Sequence, residues 1–380
     1  MNILICPDSF KDSLDAIGVT KAIEVGIKRI NREYIIQKIP LADGGEGSLD
    51  VLMNNAKGRY QKVTVKDPLF REIEASYGII EETAVIEMAR AAGLDLLKTD
   101  ERNPMLTSTY GVGELIKNAL DQEIRKFIIA IGGSATNDCG IGVAKALGVK
   151  FLDKSGKSIE PTGKGLSSLH RIDNSTIDKR ILSSEIKVMC DVNNPLYGEN
   201  GAAYVYAKQK GANDKMIKVL DDNLRHSSQI VEKTYKKDIS EVPGSGAAGG
   251  LGAGLMVFLK GTLVSGFSTI SDILNLEGYI RSSDLIITGE GKIDSQSFNG
   301  KVVIEVSKIA QKYQKPVIAL VGSYEGDLSS FHKLGLTSVF SILHSPVSLE
   351  EALSKRRTKE ALSNATEESM RLYEASRRYD

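Results

Sequence analysis

The sequence predicts an α/β protein of two domains, one of them discontinuous. Three observations carry this. The first 65 residues alternate apolar strand-like runs with amphipathic helical stretches, the pattern of a parallel sheet with right-handed crossovers. The same alternation returns from about residue 280. Between the two the pattern loosens into antiparallel-type strands and glycine-rich loops. Residues 1–65 and 280–380 are therefore expected to form one parallel-sheet domain, and 66–279 an inserted mixed-sheet domain.

"NILIC" (2–6) is a short apolar strand, and the polar loop "PDSFKDS" follows. Leu14, Ile17, Ile23, Ile27 and Ile30 fit one helix face, with Ser13 as the expected N-cap. "YIIQKI" (34–39) is the second strand, and "ADGGEG" leads into a short helix ending near Asn54. Parallel strands put their C-terminal loops on one sheet edge, so "PDSFK" and "ADGGEG" should face one crevice, where open α/β sheets bind ligands. "KVTVKDPL" and "EIEASYGII...TAVIEM" read as antiparallel strands. A helix over 108–121 leads into "RKFIIAI", a glycine loop and a helix to Leu147. "EIKVMCDV" (185–192) is a buried strand ending in "NNPLYG". Residues 153–184 and 225–245 are polar and turn-rich, and read as surface excursions. Towards the end, "SDLIITGEG" is strand and loop, a helix covers 301–313, and "PVIALVGS" and "SVFSIL" are strands. A long helix starts at Ser348, with Glu351 in capping-box position and "KRRTK" (355–359) on a solvated face.

Composition removes several function classes. The 49 basic and 49 acidic residues balance, so no global basic field collects nucleic acid. There is no tryptophan, and the four histidines are not spaced for zinc. The most apolar stretch, "LGAGLMVFLKGTLVSGF", is glycine-rich and interrupted by Lys260, a poor membrane span. Three separated cysteines without a CxxC, and an N-terminus without an export signal, read as a cytoplasmic protein.

The polar loops carry the chemistry. In "FIIAIGGSATNDCGIGVAKALG" (127–148) a β-branched run stops at Gly132 and Gly133, passes Ser134, Ala135, Thr136, Asn137 and Asp138, and resumes as a helix. Backbone N–H groups in such a turn accept anions; a tight strand–helix turn has the same residues, and the sequence leaves both readings open. It is not a GxxxxGK[ST] loop, and neither is "SQSFNGKVV", so a P-loop NTPase is excluded. "PGSGAAGGLGAGL" satisfies GxGxxG through Gly244, Gly246 and Gly249, but polar "KKDISEVP" precedes it where a dinucleotide site needs a buried strand.

Carboxylates recur at strand ends. Asp8 lies in "PDSFK" with Ser9 and Lys11, and Asp43 and Glu46 sit among glycines in "LADGGEGSL". Asp191 precedes Asn193 and Asn194, while Glu290 and Asp294 flank Lys292 in "ITGEGKID". A charge at a buried strand end is costly without a cation, partner or ligand. Several on one chain point to Mg²⁺, held by one or two carboxylates plus phosphate oxygens, with Lys11 and Lys292 neutralising phosphate. An acidic residue then orients or deprotonates an attacking hydroxyl. This is the chemistry of phosphoryl transfer from ATP to an alcohol.

"PDSFKDSL", "LADGGEGS", "RNPMLTSTYGVGELI", "IGGSATNDCGIGVAKALG", "CDVNNPLYGENGAA", "KQKGA", "PGSGAAGGLGAGL", "DLIITGEGKIDSQSFNGK" and "PVIALVGS" follow in this order. Together they resemble the bacterial glycerate kinase family, the type 1 kinases of glycerate catabolism, over nearly the whole chain. The resemblance implies Mg-ATP-dependent phosphorylation of D-glycerate, with 2-phosphoglycerate as the usual product. It also implies two α/β domains, one flavodoxin-like and discontinuous, with the site in the cleft between them. Two positions depart from the pattern: Asp12 stands where glycine is frequent, and Cys139 where glycine or alanine often follows the ND pair.

Within this reading Asp191 is the expected carboxylate on the attacking hydroxyl, since it ends a buried strand and amides suited to a polyol follow it. Asp43 and Glu46 compete for that role, and Lys11 joins the catalytic set. Asp294, Glu290 and Glu46 are the metal candidates, and Lys292, Gly289, Gly291 and Gly246 the ATP candidates. Asp8, Ser9, Arg102, Gly132, Gly133, Ser134, Asn137 and Asn193 are the substrate candidates, Arg102 because arginine suits bidentate carboxylate binding. The competing classes are a nicotinamide-dependent oxidoreductase, resting only on GSGAAG, and a non-catalytic hydroxy-acid-binding protein. Expected partners are glycerate and ATP, in a monomer or homodimer, with no nucleic acid and no membrane.

Overall fold

The structure is a computed structural model that describes residues 1–45, 47–293 and 301–377. In chain order the strands are β1 (Asn2–Ile5), β2 (Ile35–Lys38), β3 (Arg59–Lys66), β4 (Glu72–Ile80), β5 (Thr83–Glu87) and β6 (Lys126–Ala130). They continue with β7 (Lys150–Leu152), β8 (Arg171–Asp173), β9 (Glu185–Met189) and β10 (Thr262–Val264). The last are β11 (Leu285–Ile293), β12 (Val317–Tyr324) and β13 (Ser338–Ser341).

The chain divides into two compact units, each described by itself. The first comprises Met1–Asp43, Asp50–Asn55 and Phe267–Asp380. Its sheet runs β13-β12-β11-β1-β2, with every neighbouring pair parallel. Counted within the unit this is the order 2-1-3-4-5 of a flavodoxin-like sheet. β1 and the first three residues of β11, Leu285–Ile287, are buried apolar runs, as strands covered by helices on both faces must be. Ile3, Ile5, Leu285 and Ile287 share one core with Ile23 and Ile27 of the helix Ala16–Ile30 and Leu362 of the helix Lys355–Arg377.

The second unit comprises Gly44–Leu49 and Ala56–Gly266. Its six-stranded sheet runs β10-β9-β6-β5-β4-β3 and is mixed: β3–β4 and β4–β5 are antiparallel, the rest parallel. β7 and β8 form a separate antiparallel pair. Among the described residues no helix is long and apolar enough to cross a membrane.

Several elements differ from the sequence reading. The expected first segment, 1–65, runs too far, because β3 pairs with β4 from Arg59↔Ile79 to Lys66↔Glu72. The expected insertion, 66–279, also ends late, since the chain from Phe267 onward belongs to the first unit. The N-cap of the first helix is Asp15, whose side chain accepts from Gly18 N, while Ser13 Oγ meets Thr358 Oγ1 at 2.7 Å. The supposed excursion from 225 is the second half of a helix, Asp214–Tyr235, which buries Ile217, Leu220, Leu224 and Val231 along one stripe. β9 stops at Met189, so Asp191 follows the strand and does not end it. β11 continues through Ile293, which pairs with Tyr324, so "GEGK" is strand and not loop. Gly289 permits this, because a Cβ there would lie 2.3 Å from Leu320 O. The C-terminal helix breaks in two: Ser348 and Glu351 form a capping box on Leu349–Ala352, and Lys355–Arg377 follows.

Candidate functional site

In the first unit the strand order reverses between β1 and β11, where doubly wound sheets take their ligands. Past the end of β1, Cys6 N and Asp8 N donate to Ile287 O and Gly289 O at 2.9 and 2.8 Å, which fixes "PDSFK" along β11. Ser9 N donates to Asp8 Oδ1 at 2.6 Å. Burial, and then the neighbouring Asp43 carboxylate, push the half-buried Asp8 carboxyl up to about 7, against the Ser9 hydrogen bonds and the Lys11 ammonium. Asp8, Ser9, Lys11 and Asp43 are thus brought together. Gly291 adjoins them: a Cβ there would lie 3.6 Å from Lys11 N.

Buried Glu290 follows Gly289 on β11, with Lys301 Nζ 3.8 Å from its Oε2. Lys292 Nζ pairs with exposed Glu325 at 2.9 Å. Two of the metal candidates, Glu46 and Asp294, lie outside the described residues. Among the described residues no three His, Cys, Asp or Glu side chains gather to hold a metal.

In the second unit the parallel strands β5, β6, β9 and β10 present their C-terminal ends along one edge. Buried Glu87 ends β5 there; its Oε2 accepts from Leu49 N at 3.1 Å, and Arg90 Nε lies 3.9 Å from its Oε1. The sequence reading passed Glu87 over, although "TAVIE" carries the signal of a buried strand ending in a carboxylate.

β6 runs into the turn 131–140, which its surroundings hold tightly. Ala135 N donates to Ala92 O, Thr136 N to Ser134 Oγ and Cys139 N to Gly249 O. Thr107 Oγ1 donates to Ala135 O. None of these bonds uses the N–H of Gly132 or Gly133. Asp138 is fully buried and accepts from Thr109 N, Thr109 Oγ1, Gly140 N and Gly142 N, while burial still pushes its carboxyl up. Asn137, between these clamped neighbours, has an amide with 0% exposure and no hydrogen-bond partner at either Nδ2 or Oδ1. Arg102 comes to the same corner, half-buried, with its Nε buried and without a partner. A Cβ on Gly163 would lie 2.4 Å from Pro104 O and 3.1 Å from Asn137 O, so "RNP" and "TND" pack across one backbone.

Beyond β9, both Asp191 carboxylate oxygens accept from Gly266 N at 3.1 Å, and Gly44 lies against Oδ2. Asn193 is exposed. Asn194 is occupied in the fold, its Nδ2 on Asn200 O and its Oδ1 accepting from Tyr206 Oη. Gly246 N already donates to Asn194 O, and a Cβ there would lie 2.1 Å from Pro195 O. The Gly246 N–H is thus engaged within the fold, and its Cα packs closely against the Pro195 backbone. The element preceding GSGAAG is the helix Asp214–Tyr235 and not a strand, which removes the dinucleotide reading.

The chain matches the sequence model of the Glycerate kinase family over residues 3–374. It is 46% identical over 354 residues to the Glycerate 2-kinase of Escherichia coli (strain K12), covering 93% of each chain. It is 45% identical over 356 residues to the Glycerate kinase of Bacillus cereus, again covering 93% of each. In structure it resembles a crystal structure assigned to glycerate kinase 2 from Salmonella typhimurium LT2, with TM-score 0.86 and 41% identity over 100% of this chain and 99% of that one.

Proposed function

Because this chain belongs to the glycerate kinase family, we propose that it transfers a phosphoryl group from ATP to the 2-hydroxyl of D-glycerate, with Mg²⁺. The observation that carries the reading is a family match spanning residues 3–374, and with it both sets of polar loops. The choice of the 2-hydroxyl draws support from the E. coli relative, a glycerate 2-kinase.

Asp191 orients the attacking hydroxyl and takes its proton as the oxygen bonds to the γ-phosphorus and ADP leaves. Its two bonds from Gly266 N hold the carboxylate in one orientation. Asn137 and Arg102 face the acid, and the N–H groups of Gly132 and Gly133 are the alternative anion donors. Lys11 and Lys292 offset phosphate charge.

Asp8 and Asp43 fit a divalent cation better than Glu290 does. The Asp8 carboxyl, pushed up by burial and by the Asp43 carboxylate beside it, is a site whose cost a cation relieves, whereas Glu290 already faces Lys301. Mg²⁺ held there with phosphate oxygens would offset charge on the transferring group. The three cysteines are all free thiols, which fits our placement of the protein in the reducing cytoplasm.

The test is a coupled assay with ATP, Mg²⁺ and D-glycerate, run with enolase and pyruvate kinase, with and without phosphoglycerate mutase. Signal without mutase means 2-phosphoglycerate is the product. Signal only with mutase moves the acceptor to the 3-hydroxyl. Silence in both, from folded protein, rejects the reading.

A further inference from the structure

The "KQKGA" segment has no part in the reaction above, yet it delivers a lysine to the core. Lys210 is 2% exposed, and its Nζ donates to Thr136 O at 2.6 Å. An ammonium has three N–H bonds, and this contact uses one. The charge that acts on it is Asp138 in the 131–140 turn; the backbone and Cβ of Arg102 lie across Gly211, and exposed Lys208 shares its short helical turn. Burial pushes the Lys210 ammonium down to about 7, and the Asp138 carboxylate opposes that shift.

Everything next to Asn137 is fixed. Lys210 holds Thr136 O on one side, Thr109 holds Asp138 on the other, and a Cβ on Gly249 would fall 2.6 Å from Asn137 Cα. Gly211 pins Arg102 to the same corner, since a Cβ there would lie 2.1 Å from Arg102 O. Buried polar atoms are nearly always paired. Here a buried amide and a buried guanidinium nitrogen are left over, beside a backbone clamped by the contacts above. Their complement is a ligand with anionic oxygens for Arg102 Nε and Asn137 Nδ2, and a hydroxyl for Asn137 Oδ1. A small α-hydroxy carboxylate has this set.

We infer that Lys210 is a positioning residue for the carboxylate end of the substrate, holding Thr136 O to set the Asn137 amide and supplying the charge that draws the anion to Asn137 and Arg102. This deepens the proposed function and rests on it. Water filling the same gap would place no demand on the charge of Lys210.

The experiment is calorimetric titration of D-glycerate into the full chain without ATP, at pH 7.5, in two buffers of different ionisation enthalpy. An arriving anion raises the proton affinity of Lys210, so wild type should take up a fraction of a proton and show a buffer-dependent heat. Lys210→Met should bind D-glycerate at least about tenfold more weakly, lose that proton uptake, and keep its ATP affinity. Lys210→Arg, charged but not titrating near neutrality, should keep binding and lose the uptake; it decides the matter if the Met variant does not fold. Buffer-independent heat in wild type overturns the inference, as does Met-variant binding equal to wild type, or equal weakening for glycerate and ATP. If wild type turns over no glycerate in the coupled assay yet shows Lys210-dependent uptake, the kinase reading falls and only the part of the inference that concerns binding of a hydroxy acid stands. Turnover with a glycerate KM indifferent to Lys210→Met gives the reverse.

Discussion

Both carboxylate oxygens of Asp191 accept the same N–H, that of Gly266, at 3.1 Å each. A carboxylate so held is fixed in orientation, and Asp191→Asn keeps an acceptor while removing the charge. We expect kcat to fall by about 10²–10⁴, with the thermal midpoint close to wild type. A kcat within about threefold of wild type would leave Asp191 a structural role only.

Asp8 gives a stability signature with a defined sign. Its carboxyl sits at about 7 in the fold, above the ordinary 3.8, through burial and Asp43. The folded state therefore keeps a proton that the unfolded chain releases. That contribution is complete below pH 3.8 and is lost as the pH rises through about 7. Asp8→Asn, which cannot ionise, should outlast wild type in urea at pH 7.5, with the gap closing near pH 4. Added Mg²⁺ should narrow the gap at pH 7.5. A difference that ignores pH would acquit Asp8.

Gly249 stands where the glycine-rich helix meets the 131–140 turn, at φ 70°, and a Cβ there would lie 2.0 Å from Thr136 O. Gly249→Ala should cost at least about 3 kcal/mol in denaturant unfolding, because backbone strain and a backbone clash combine. Gly47→Ala is the control: φ is 85° with nothing within 4 Å, so only the left-handed strain of about 1–2 kcal/mol applies. Equal costs at the two positions would show that the Thr136 approach is not tight.

Arg102 has a buried Nε with no hydrogen-bond partner among the described residues. Arg102→Ala should raise the glycerate KM by about tenfold or more, with the ATP KM unchanged. A matching rise in both would place Arg102 on the nucleotide side or in the fold alone.

Local pattern carried much of this in advance. The parallel order of the first unit follows from strand–helix alternation, and Asp8 and Asp191 stand out because a polar loop begins where an apolar run stops. Lys210 was invisible for a physical reason: in "KQKGA" it reads as a solvated lysine, and only packing against residues more than 70 positions earlier buries it. The helix Asp214–Tyr235 was half hidden because its stripe is narrow and its other faces are charged. β11 outran its expected end because Gly289 lets β12 come close. Asp12 and Cys139 depart from glycine at two positions where the backbone is left-handed, with φ of 62° and 54°.

The pairing of β1 with β11 sets Ile3 opposite Leu285. On a ribosome adding about 5–20 residues per second, the N-terminal strand emerges tens of seconds or so before its neighbour is made. The second unit, nearly all in one stretch from Ala56 to Gly266, is complete in the meantime. Closing a loop of roughly 280 residues adds little entropy cost beyond that of a much shorter one, so the delay is one of synthesis and not of search. For that interval β1 presents an unpaired edge to the crowded cell. The part of the fold made first is the part finished last.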